Sequence, residues 1–167
     1  MRIIFMGTPM FALPSLEKIY KEHEVIAVFT KADKPNARGK KIKYSPIKEF
    51  ALANNLRIYQ PETFKDKALI EEIKNMQPDL IVVVAYGKIL PKEVLDISKY
   101  GVINLHSSLL PRFRGAAPIN AAIINGDKKS GVSIMYVEEE LDAGDVILQE
   151  ETEITDEDTF LSLHDRL

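Results

Sequence analysis

The sequence predicts an α/β domain: a mainly parallel sheet of about seven strands with helices on both faces. Three observations carry this. Short apolar runs of strand length alternate with segments of helical character along most of the chain, the pattern of parallel sheets joined by right-handed crossovers. The runs are continuously apolar, as in strands buried on both faces. Finally, the chain has 167 residues, 46% hydrophobic and 28% charged, which suits one ordinary globular domain.

The elements follow in order. RIIFMG at 2–7 reads as a buried strand ending in Gly7. A helix runs through Pro14, Ser15 and Leu16 to about Lys21, with Pro14 in its first turn. EVIAVFT at 24–30 is the second strand. The segment 31–44 holds Pro35, Gly39, many charges and no periodicity, and reads as a long loop. Ser45-Pro46 opens a helix, Ser as N-cap and Pro at the first helical position. RIYQ at 57–60 is a third strand, ended by Pro61, and 64–76 is helical with Leu69, Ile73 and Met76 on one face. LIVVVAYG at 80–87 is the most apolar strand and the expected centre of the sheet. A helix over 91–99 leads to the strand VINLH at 102–106, and PINAAIIN at 118–125 is a helix halted by Gly126. GVSIMYV at 131–137 and DVILQEET at 145–152 are strands joined by a loop containing Asp142, Ala143 and Gly144. Thr155-Asp156-Glu157 starts a last helix carrying Phe160, Leu161, Leu163 and Leu167. It has no Gly, Asn or Pro stop signal, as expected of a chain cut from a longer one; a frayed terminal helix is the other reading. The whole is Rossmann-like.

Composition excludes several classes. With no cysteine there are no disulfides, thiolate nucleophiles or Cys-ligated zinc. No apolar run approaches the roughly 18 residues of a membrane span, and the N-terminus lacks a signal-peptide core, so no membrane association and a cytoplasmic address are expected. Net charge is −3, but it is unevenly spread. Seven basic residues stand against Asp33 between Lys31 and Lys48, and eleven acids with no base lie between Val137 and Asp158. Such asymmetry points to a polyanion site under an acidic average.

Gly7 is followed by Thr8-Pro9-Met10-Phe11, so the glycines of a dinucleotide cradle are missing. The phosphate-loop lysine motif and the serine elbow are absent too. The informative stretch is 103–120, INLHSSLLPRFRGAAPIN. Asn104 and His106 are two apart on one strand and leave from the same face, at the carboxyl end where open α/β sheets bind ligands. An amide donor beside an imidazole suits acyl transfer: one group holds the developing oxyanion, the other manages protons. Asp142 is a plausible orienting carboxylate. Each also has a bland reading as a hydrogen-bonded strand end or turn residue. Glu138, Glu139 and Glu140 read as solvated charges. No His pair has metal-ligand spacing, so no metal is expected.

NLHSSLLPRFRG at 104–115 followed by LDAGD at 141–145 resembles the signature of formyltransferases that use 10-formyltetrahydrofolate. FMGTP.FA at 5–12, DKP..RGKK at 33–41 with SP.K after it, and RGAAPIN at 114–120 resemble the branch acting on initiator methionyl-tRNA in translation initiation. The resemblance runs from Met1 to about Ile154. It implies the catalytic trio Asn104, His106 and Asp142. It implies folate contacts from Ser108, Leu109, Leu110 and Pro111, from Gly87, Lys88, Ile89 and Leu90, and from the backbone of Glu139, Glu140 and Leu141. The donor would be 10-formyltetrahydrofolate, a reduced folate, and the partner tRNA, gripped at its acceptor end by Arg38, Lys40, Lys41 and Lys43 of the 31–44 loop. A monomer is expected. Phe113 stands where relatives often carry Trp and Glu140 where they often carry Gly, and the C-terminal barrel domain of relatives is expected to lie outside this chain. A formyltransferase for a small amine (a nucleotide or amino sugar), a 10-formyltetrahydrofolate hydrolase, and a non-catalytic nucleic-acid-binding module are the competing readings.

Overall fold

The structure, a computed structural model, describes residues 1–35 and 42–167. Its elements are β1 (Arg2–Gly7), a 3₁₀ turn (Met10–Ala12), α1 (Leu13–Glu22), β2 (Glu24–Phe29), β3 (Lys34–Pro35), β4 (Ile42–Lys43), α2 (Pro46–Ala53), β5 (Ile58–Tyr59), α3 (Lys67–Asn75), β6 (Leu80–Val84), α4 (Lys92–Leu95), β7 (Val102–His106), α5 (Pro118–Ile124), β8 (Lys129–Tyr136), β9 (Val146–Glu153) and α6 (Phe160–Arg166). Seven strands form one sheet, the number the sequence predicts, in the order β5-β2-β1-β6-β7-β8-β9, and β3 pairs with β4 alone. The chain divides into two compact units, Met1–Val102 and Ile103–Leu167.

In the first unit, β1 pairs in parallel with both β2 and β6, and β2 with β5. Ile3, Ile4, Phe5 and Met6 are at most 1% exposed, so the apolar run reports burial on both faces. The caps are local chemistry: the Ser45 hydroxyl accepts from Lys48 N–H at 3.1 Å and starts α2, and Asp66 accepts from Ala68 N–H at 2.9 Å and starts α3. Three expectations are corrected. The strand read over 80–87 ends at Val84, because Ala85 turns to a φ of 48°. The helix read over 91–99 shrinks to α4; Ser98 Oγ donates to Gly101 O at 2.6 Å and makes a turn instead. The loop read over 31–44 contains the short antiparallel pair β3–β4.

In the second unit β7, β8 and β9 run antiparallel to their neighbours within it. α5 and α6 close over a small core of Ile119, Ala122, Ile154 and Leu163, with Phe113 packed against it. The last helix begins at Phe160, not near Thr155. Thr159 and Ser162 cap it reciprocally, at 3.3 and 3.0 Å, while Thr155 N–H donates to Asp158 at 2.8 Å and makes a separate turn. Asp158 also accepts from Ser162 Oγ at 2.7 Å and from Arg166. These bonds, Arg166 foremost, hold its carboxyl well below the usual carboxylate range.

Two outcomes follow. A carboxyl whose folded pKa is depressed stabilises the fold above its unfolded value, near 4, and loses that contribution as pH falls through the folded one. Asp158→Asn should therefore lower the urea midpoint at pH 7, and the gap to the parent should close as pH drops below about 4. In the first unit, Tyr86 is fully buried edge-on to Phe64, burial pushes its phenol up, and its hydroxyl has no partner among the described residues. A buried unsatisfied hydroxyl destabilises, so Tyr86→Phe should raise unfolding free energy by about 1 kcal/mol in denaturant titrations.

Candidate functional site

β7 ends in Asn104, Leu105 and His106, and its antiparallel register sets Asn104 opposite Met135 and His106 opposite Ser133. Alternation along the strand sends Asn104 and His106 to one face. His106 is buried at 7% exposure. Asn104 is half-buried, and its amide makes no hydrogen bond to a described residue. It is therefore an amide available for a ligand.

The His106 ring lies between a carbonyl and a carboxylate. Nε2 lies 2.9 Å from the carbonyl oxygen of Phe113. A carbonyl only accepts, so Nε2 carries a hydrogen and Nδ1 is the nitrogen left for proton exchange. Nδ1 faces Asp142 Oδ2 at 3.6 Å, too long for a direct hydrogen bond but within ion-pair reach when the imidazole is protonated. The same carboxylate oxygen accepts Gly115 N–H at 2.7 Å. The flanking residues are conformationally unusual: Phe113 has φ 54° and Asp142 φ 49°. Such backbones cluster at functional sites, where the surroundings hold them.

The local sequence explains Asp142's placement. β8 and β9 are joined by 137–145, closed at its base by Tyr136 N–H donating to Asp145 O at 3.0 Å. Gly144 lies so close to β8 that a Cβ there would come within 2.0 Å of Tyr136 O. The loop can therefore fold back over the strand only with glycine at that place.

The sequence-predicted residues are distributed as follows. Asn104, His106, Ser108, Leu109, Leu110, Pro111, Glu139, Glu140, Leu141 and Asp142 belong to the second unit. The Ser108 hydroxyl is turned inward, donating to Arg112 O at 2.6 Å, and Leu110 is buried while Pro111 is exposed. Glu139, Glu140 and Leu141 lie exposed, with Glu140 3.6 Å from Arg114. Gly87, Lys88, Ile89 and Leu90 belong to the first unit. There Ile89 is 87% exposed, Leu90 is buried in the core, and Lys88 Nζ donates to Glu62 O at 2.6 Å. Lys43 is exposed in β4, while Arg38, Lys40 and Lys41 lie outside the described residues. Lys48 of the basic stretch is neutralised by Asp33, with Gln60 Oε1 accepting from it at 2.8 Å. Among the described residues no three His, Cys, Asp or Glu side chains are grouped to hold a metal, and no helix is long and apolar enough to cross a membrane.

Sequence reasoning missed the Phe113 carbonyl and the Gly115 N–H, which are main-chain groups with no residue signature. It also passed over Ser133, a polar residue buried between the buried positions 131 and 135 of β8. A buried hydroxyl in an apolar strand needs partners, and that was the available signal.

An imidazole fixed between a carbonyl and a carboxylate, beside an amide on the same strand face, is an arrangement for acyl-type transfer. The family model described as "Formyl transferase" matches residues 1–167, and the chain belongs to that family. It is 89% identical over its whole length to methionyl-tRNA formyltransferase of Fusobacterium nucleatum and 55% identical to that of Alkaliphilus oremlandii. In both cases the chain spans 54% of the relative's length, about half. Among solved structures it superimposes on phosphoribosylglycinamide formyltransferase of Bacillus halodurans with a TM-score of 0.81 at 26% identity, covering 99% of this chain and 87% of that one. A formyltetrahydrofolate deformylase from Pseudomonas syringae, at 24% identity and a TM-score of 0.77, over 98% of this chain and 56% of that one, shares the fold.

Proposed function

We propose that the chain is the catalytic unit of a methionyl-tRNA formyltransferase, moving the formyl group of 10-formyltetrahydrofolate to the α-amine of initiator methionyl-tRNA. The observation that carries the reading is the His106–Asp142 pair beside Asn104, in a chain 89% identical to an enzyme of that name. The methionyl amine attacks the formyl carbon, a bond forms from nitrogen to carbon, and the carbonyl electron pair moves to oxygen. Asn104 and the protonated His106, through Nδ1–H, donate to that oxyanion. Collapse restores the carbonyl and breaks the bond to N10. Asp142, acting through a water, conveys the proton lost by the amine to the leaving nitrogen, so the transfer balances with no covalent enzyme intermediate. The pterin edge is read by main-chain groups of 139–141. Lys43, Arg38, Lys40 and Lys41 hold tRNA phosphates; a small amine would not need this basic segment, which favours the macromolecular acceptor over the competing readings.

Removing a preorganised donor from such a site costs about 10²–10³ in rate. In protein expressed from its complete reading frame, Asn104→Ala, His106→Ala and Asp142→Ala should each lower formyl transfer at least about 100-fold. Near-normal turnover of His106→Ala would remove it from the mechanism. Phosphate contacts release counterions and make affinity salt-dependent. Arg38→Ala, and Lys40→Ala combined with Lys41→Ala, should lower kcat/KM for tRNA and flatten its salt dependence while folate affinity, by calorimetry, stays put. Indifference of both tRNA kinetics and salt slope would instead point to a small acceptor.

A further inference from the structure

We infer that Ser133 and Gln149 are positioning residues for His106, acting through the 108–113 segment; the inference rests on the formyl-transfer reading of this site. Ser133 lies opposite His106 across the β7–β8 register and opposite Gln149 across β8–β9. It is fully buried. Its hydroxyl donates to Ser108 O at 2.6 Å and accepts from Leu110 N–H at 3.1 Å and from Gln149 Nε2 at 2.8 Å. A hydroxyl has one hydrogen and two lone pairs, so all are used and the group has a single orientation. The second amide hydrogen of Gln149 goes to Leu110 O at 2.9 Å, which fixes that side chain as well.

The bonds continue along the segment. Ser108 Oγ donates to Arg112 O, and Arg112 N–H donates to Leu109 O at 3.1 Å. Two side chains from neighbouring strands and one from the segment itself therefore tie its peptide groups from 108 to 112. The next carbonyl is that of Phe113, which receives His106 Nε2–H. Phe113 adopts a left-handed backbone, a conformation that persists only where its surroundings over-determine it. On one side the Phe113 ring packs on the small core; on the other, the chain leading into it is held by Ser133 and Gln149. Loosening that hold frees the carbonyl that fixes the His106 tautomer, and with it the nitrogen offered to the reaction.

A merely structural network would change stability and leave the imidazole alone, so the test reads the ring. Protein from the complete reading frame, ¹⁵N-labelled at histidine, is compared with Gln149→Met, Gln149→Glu and Ser133→Ala. Gln149 is at the surface, so its variants fold even where Ser133→Ala does not. The parent should show the His106 Nε2 shift of a protonated ring nitrogen. Gln149→Glu sets an acceptor against Ser133 Oγ and Leu110 O, and should turn that signal into a tautomer mixture. Its kcat should fall about 10-fold with KM for both substrates within about twofold, since small misplacements of catalytic groups cost rate; Gln149→Met should fall between it and the parent. Folded Gln149 variants with the parent's ring shifts and kcat, or with altered KM alone, overturn the inference. Shifted ring signals in the Gln149 variants of a parent that transfers no formyl group uphold the positioning role and overturn the formyl-transfer reading instead.

Discussion

The hydrogen bond between His106 Nε2 and the Phe113 carbonyl is the contact that sets the geometry around His106 in the second unit. It engages one ring nitrogen and leaves the other facing Asp142. An imidazole alone at a strand end rotates freely about its side-chain torsions; one bonded to a main-chain carbonyl has one tautomer and one orientation. Phe113, whose carbonyl meets the ring, and Asp142, whose carboxylate faces it, both have left-handed backbones. Gly115 N–H then fixes the carboxylate oxygen nearest the ring. The ring and the carboxylate are therefore held by the protein's own main chain, the kind of fixed arrangement that needs no reorganisation.

Much of the framework was legible in residue pattern. The apolar runs at 2–7 and 24–30 correspond closely to β1 and β2, whose inner residues are mostly buried, and the run at 102–106 corresponds to β7. Ser45-Pro46 announced α2 because capping is local chemistry. Asn104 and His106 were paired by strand alternation alone. The failures have local causes. Thr155 with Asp158 imitates a helix start, but Thr159 with Ser162 offers a second, reciprocal cap one turn later, and the chain takes that one. Alanine at 85 carries no turn signal, yet its backbone ends β6. The two groups that hold His106 and Asp142, a carbonyl and an N–H, belong to the main chain that every residue has, so no residue type marks them.

The charge pattern needs the same correction from sequence to structure. The acidic stretch after Val137 reads as a strongly negative surface, but five of its eleven carboxylates are engaged. Lys129 pairs with Glu151, Lys128 with Asp156, Arg166 with Asp158, Arg114 with Glu140, and Asp142 accepts a main-chain N–H. The basic segment is thinned in turn, since Asp33 cancels Lys48. Exposed pairs of this kind add little to stability, yet each one shortens the reach of its charges. Beyond about 8–10 Å at physiological salt, screening leaves only unpaired clusters able to steer a polyanion. Local pairing consequently matters more than the net charge of −3 in setting the potential of each face. Carboxylates already matched to their own cations oppose an approaching anion less than their number implies, so an acidic average does not by itself make every face repel anions.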